Sequence, residues 1–127
     1  MHAYDWATLR VVPRVERCEF VNAGVVVYCR QLDYLGAAVA LDEARALALD
    51  PSLDLPAVTR HLRAIEELCA GDPAAGANGA RPPGERFRWL ASPRSTVVQT
   101  SQVHTGLTAD PPAELARLFD VMVRTPH

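Results

Sequence analysis

Seven polar side chains carry the chemistry this sequence offers in groups. Arg14, Arg17, Glu19 and Asn22 lie in the stretch RVVPRVERCEFVNAGVVVY from Arg10 to Tyr28, and Arg94, Ser95 and His104 follow much later. A planar guanidinium forks onto a phosphate or carboxylate with two parallel hydrogen bonds. In a shared cleft, Arg14 and Arg94 would hold such an anion, Asn22 would orient it, and His104 would serve as acid or base. Arg10, Glu16, Arg86, Arg88, Trp89 and Thr96 are the neighbours such a cleft would recruit. A structural reading of the same residues stands beside the functional one. Arg14 or Arg17 pairs with Glu16 or Glu19 at a solvated hairpin end, Ser92-Pro93-Arg94-Ser95 is a turn, and His104 satisfies a strand terminus. The pattern leaves both open and assigns no catalytic residue.

Other chemistry is weakly represented. Cys18, Cys29 and Cys69 are odd in number and contain no Cys-x-x-Cys pair, which reads as reduced thiols and gives no zinc spacing. Cys18, between Arg17 and Glu19, is the one thiol placed to be a nucleophile, and it would need a base beside it. His61 has no second ligand at i+4 and reads as a helix-surface histidine. The glycines of GDPAAGANGARPPG do not follow a strand and open a helix, so no phosphate-binding loop is assigned. No metal and no cofactor are expected.

The chain has 127 residues, a length that suits one domain over 1–127, and 49% hydrophobic with 22% charged residues is ordinary for a globular protein. All 13 basic residues are arginine, a bias that matches a GC-rich coding background as well as any selection for arginine chemistry. The net charge of −2 offers no global positive field, which disfavours nucleic acid as a partner. No run approaches the ~18 apolar residues of a membrane span, and MHAYDWATLR lacks signal-peptide order, so a cytoplasmic location is expected.

The elements that must position these residues follow from periodicity. Residues 4–12 form a strand stopped at Pro13. Residues 20–30 form a second, with Val21, Ala23, Val25, Val27 and Cys29 on one face; Asn22 and Gly24 close together on the other suggest a bulge or a close approach. Residues 34–41 form a third, whose small Gly36, Ala37, Ala38 and Ala40 leave room for a helix. Asp42 caps a short helix to Leu49, and Asp54 caps another from Leu55 to Ala70 with Val58, Leu62 and Ile65 on its apolar stripe. Gly71–Gly84 is expected to be a mobile loop. Residues 85–92 suit a short helical turn before Pro93, and residues 96–103 a polar strand that His104-Thr105-Gly106 ends. Asp110 with Pro111 opens a last helix. Strands run together before helices, which gives an α+β class. The expected architecture is a mostly antiparallel four-stranded sheet, a β-meander plus one later strand, with about three helices packed on one face.

The segments RVVPRVERCEFVNAGVVVY at 10–28, LDEARALALDP at 41–51, RFRWLASPRST at 86–96 and VHTGL at 103–107 resemble a bacterial family, domain of unknown function number three thousand and thirty-seven. They are spread over essentially the whole chain. The resemblance implies a genomic neighbour, a HipA-like kinase, as partner, and it carries no catalytic residue across. Two functions from different classes are therefore expected to compete. One is a non-catalytic binding or regulatory module acting with such a kinase. The other is a small hydrolase or transferase of a phosphorylated or nucleotide substrate working through the Arg14, Asn22, Arg94 and His104 group.

Overall fold

The computed structural model describes residues 1–94 and 96–124. Its centre is β1 (His2–Val11), paired antiparallel with β2 (Val21–Cys29), which pairs antiparallel with β3 (Tyr34–Val39). This is the expected meander. The connection between β1 and β2 is a 3-10 turn, Val15–Arg17, whose residues are all exposed.

The opposite edge of β1 differs from expectation. Two short strands share it: β4 (Val98–Thr100) pairs with Leu9–Val11, and β5 (His104–Thr108) pairs with His2–Trp6. The sheet therefore has five strands, and His104 begins a strand instead of ending one. Ser101 marks the step between them. Its amide donates to the Thr8 carbonyl and its hydroxyl accepts from the Thr8 amide, both at 2.9 Å, so the ladder is satisfied while the chain jogs.

Four α-helices follow local capping chemistry. They are α1 (Glu43–Leu49), α2 (Leu55–Ala70), α3 (Pro83–Ala91) and α4 (Pro111–Met122). The carboxylates of Asp42, Asp54 and Asp110 accept from the backbone amides of Arg45, Ala57 and Ala113 at 3.1, 3.1 and 3.3 Å. Each satisfies one otherwise orphaned donor of the first turn. The stretch after α2 is not a bare loop. Pro73–Ala80 is 3-10, with a kink at Gly76 (φ 71°), and the buried Gly79 and half-buried Ala75 seat it against the rest. Glycine and proline there specify turn geometry, and the short side chains allow close packing.

The helices occupy both faces of the sheet, which corrects the expectation of one. Successive β2 residues decide this, because side chains alternate across a strand. Val26 packs in one core cluster with Leu9, Val11, Ala46, Leu62 and Phe87, while Val25, Val27 and Cys29 pack in a second with Tyr4 and Leu118. Thus α1, α2 and α3 cover one face and α4 the other. A register shift falls between Leu9, opposite Gly24, and Arg10, opposite Asn22, and leaves Ala23 as the extra residue. This bulge places Val21 and Ala23 with the first cluster and Val25 and Val27 with the second. The single apolar face expected for β2 is therefore split between two cores. Gly36 admits α4, since a Cβ there would lie 3.2 Å from Leu115 Cδ2.

Candidate functional site

After Val12, whose amide donates to the Val97 carbonyl at 2.6 Å, Pro13 breaks the ladder and Arg14 caps the 3-10 turn in extended conformation. Arg17 Nε lies 2.5 Å from Glu19 Oε1 in an exposed pair. Arg14 reaches elsewhere: its Nη2 is 3.6 Å from Asp50 Oδ1 at the end of α1. That oxygen also accepts from the Ser52 amide and hydroxyl at 3.0 and 2.7 Å. The Ser52 bonds first, and then the Arg14 charge, hold the Asp50 carboxyl below the usual carboxylate range. Arg14, Arg17 and Glu19 do come together, around a depression of about 250 Å³ shared with Ala48 and Leu49.

Asn22 and His104 lie on the other face. The Asn22 amide donates to the Met122 carbonyl at 3.0 Å, below the end of α4. Its Oδ1 is buried and unpartnered among the described residues, as is Nε of Arg10, its partner across the strands. The Arg10 guanidinium stands 4.1 Å over the Phe20 ring. His104 stacks on Trp6, its register partner, with centroids 4.6 Å apart, and Trp6 packs against the α4-side cluster. The cleft of Arg14, Asn22, Arg94 and His104 is therefore not assembled. Asn22 and His104 face α4, whereas the Asp50 partner of Arg14 belongs to the α1–α2 side.

Arg94 organises a different place. Its Nη2 donates to the Trp89 carbonyl at 2.5 Å and its Cζ lies 4.0 Å over the Trp89 ring. Trp89 is 53% exposed. Ser95, the next residue, lies outside the described residues. The His61 imidazole is held below its ordinary pKa, first by burial and then by the Arg94 charge, so it is neutral at physiological pH.

Three depressions adjoin one another through His61 and Trp89. The first, about 300 Å³, holds Asp50, Ser52, Asp54 and His61; His61 also borders the second, about 290 Å³, with Glu67, Ala75 and Asn78. Trp89, Leu68 and Asn78 link that one to the third, about 370 Å³, which Arg81, Glu85, Arg86 and Arg88 complete. The result is one open groove along α2, walled by the Pro73–Ala80 turn and α3. Arg86 builds the far wall. Its Nη1 donates to the Leu68 and Cys69 carbonyls at 2.7 and 2.9 Å, and its Nε to the Arg81 carbonyl at 2.8 Å. It thereby satisfies the end of α2 and ties the turn to α3.

The family comparison agrees with this architecture in its extent. A family model described as "Protein of unknown function (DUF3037)" matches residues 6–123. The chain belongs to the DUF3037 family. No curated protein and no solved structure matches it.

In this DUF3037 chain the two buried thiols are poor nucleophiles. Cys29 and Cys69 are buried, and burial pushes the Cys69 thiol up to about 12. Cys18 is exposed, in the left-handed region at φ 59°, with its Sγ 3.7 Å from the Val15 carbonyl oxygen. Among the described residues no three His, Cys, Asp or Glu side chains gather as metal ligands, and no helix is long and apolar enough to cross a membrane. Sequence reasoning placed Arg86, Arg88 and Trp89 beside a phosphate cleft and missed the groove they line. A signal for it was present. In α3, Phe87 and Leu90 occupy the buried stripe and Trp89 falls off it, and a tryptophan displaced from the apolar side of its own helix is available to a partner.

Proposed function

We propose that this DUF3037 domain is a non-catalytic binding or regulatory module that docks a partner chain in the groove along α2 and α3. One observation carries the reading: Trp89 stands half-exposed between two joined depressions, with Arg94 stacked on its ring. Tryptophan and arginine are the residues that most often dominate interface energy once a partner desolvates them. A flat aromatic held by a guanidinium also loses little side-chain freedom on binding. The partner nominated by the family resemblance is a HipA-like kinase encoded nearby. Co-expression of the two chains tests this. The domain should co-purify with the kinase, and Trp89→Ala should abolish co-purification while leaving the melting temperature within a few degrees of the parent. Retention of the complex by Trp89→Ala would remove the groove from the interface.

A second reading, a small hydrolase or transferase of a phosphorylated or nucleotide substrate, draws support from the opposite end of the same groove. Asp50 and the neutral His61 line one depression, with Arg14 paired to Asp50 and Arg94 close enough to perturb His61. A neutral imidazole is a competent base, and two guanidiniums suit a phosphate or carboxylate. Turnover of a phosphomonoester or nucleoside phosphate that His61→Ala abolishes would favour this reading over docking.

A further inference from the structure

The groove has a polarity that names the chemistry of its occupant. Its Trp89 end, from His61 to Leu68, follows α2 for about 10 Å, at roughly 1.5 Å rise per residue. An extended chain of about three residues covers that length at roughly 3.4 Å each. Around Trp89 the rim carries Arg81, Arg86, Arg88 and Arg94, against Glu67 and Glu85. Of these, Arg81 is 3.6 Å from Glu85, and Arg86 is spent on backbone carbonyls. Arg94 is spent on the Trp89 ring and carbonyl, which leaves Arg88, with no ion pair among the described residues, lining the depression beside the Trp89 ring. The chain as a whole carries a net charge of −2, so this positive end stands against an acidic background.

Resting on the docking reading above, we infer that the Trp89 end of the groove receives an extended acidic segment of a partner chain. An apolar side chain of the segment lies on Trp89, and its carboxylates lie over Arg88 and Arg81. Long open shape favours this over a mononucleotide, because small ligands are held in pockets that bury most of their surface. The apolar floor of Ile65, Leu68 and Ala75 gives alternate residues of an extended segment somewhere to go.

Trp89 fluorescence tests it directly. The chain has two tryptophans, so Trp6→Phe leaves Trp89 as the sole reporter. This protein is titrated with a glutamate–leucine peptide of about six residues, enough to overhang that length, with a lysine–leucine peptide of the same length, and with AMP. The glutamate peptide should shift the emission saturably, and the lysine peptide should not. Arg88→Glu should weaken the glutamate peptide about tenfold or more, while Arg63→Glu, in a separate depression, should leave it unchanged. Circular dichroism of both variants confirms that they are folded. Equal or tighter binding of the lysine peptide, a response to AMP alone, or indifference to Arg88→Glu would each overturn the inference. Failure here with kinase capture still lost in Trp89→Ala would retire the acidic chemistry and keep the docking surface. Binding of the glutamate peptide without kinase capture would keep the chemistry and retire the kinase.

Discussion

Arg94 holds Trp89 from two directions, with Cζ 4.0 Å above the indole ring and Nη2 bonded to the carbonyl of the same residue at 2.5 Å. An exposed cation–π contact of this kind contributes about 0.5–1 kcal/mol. Arg94→Ala should therefore lower stability by no more than about 1 kcal/mol and weaken partner capture more than it weakens the fold. Arg14→Ala should be similarly mild, about 0–1 kcal/mol, because its partner interaction is long and its side chain is half exposed. Urea denaturation of the two variants beside the capture assay separates these effects. A loss of several kcal/mol in either would mean that the arginine is structural.

Arg86 should behave differently from its neighbours. It makes three hydrogen bonds to backbone carbonyls, two of which belong to the last turn of α2. Charge-assisted bonds of this sort contribute about 1.5–3 kcal/mol, so Arg86→Ala should cost about 2–3 kcal/mol. Arg86→Lys should recover only part, since an ammonium cannot span the same carbonyls as a fork. Chemical denaturation gives the comparison, and amide exchange at the α2 C-terminus should rise in both.

Alkaline pH should loosen α4. The Tyr4 hydroxyl donates to Glu114 Oε1 at 2.6 Å, and Arg117 Nε donates to the same carboxylate at 3.1 Å. Burial, then the Glu114 bond and charge, push the Tyr4 phenol up to about 12. An unfolded tyrosine ionises near pH 10. Between those values the unfolded chain releases a proton that the folded chain keeps, so the Tyr4 contribution to stability is full below about pH 10 and is lost as pH rises through about 12. The Glu114 carboxyl is held low by Arg117 first and Tyr4 next, so its contribution is present above the ordinary carboxylate range and is lost as pH falls below it. Tyr4→Phe should flatten part of the alkaline slope measured by thermal melts across pH. The remaining slope belongs to Cys69 and Tyr34, whose thiol and phenol burial also raises.

The bulge has a glycine that cannot be enlarged. A Cβ on Gly24 would lie 2.8 Å from the Ala38 carbonyl oxygen and 2.9 Å from Leu9 Cδ1. The carbonyl is part of the ladder and cannot turn away, so Gly24→Ala should cost about 1–3 kcal/mol through overpacking. Equilibrium unfolding in urea measures it, and a neutral result would mean that the β2–β3 register adjusts.

Much of this protein was legible in the sequence because the deciding forces act over a few residues. Apolar spacing marked α2 and α4. The carboxylates of Asp42, Asp54 and Asp110 marked helix starts, since a cap needs only an amide three residues away. Small residues in β3 announced a packed helix, and the closeness of Asn22 and Gly24 announced the bulge. What tertiary structure decided was sidedness and neighbours. One extra residue at Ala23 reverses the facing of everything before it, and so carries Asn22 beneath α4, away from the Arg14–Asp50 pair. β4 and β5 divide one edge of β1 because a ten-residue strand has room for both, and no local rule says which partner a short polar strand takes. The groove is the clearest case. Arg94, Trp89, His61 and Asn78 share no sequence pattern, and they meet only because the Pro73–Ala80 turn and α3 both pack against α2, a non-local closure whose free energy belongs to the whole fold.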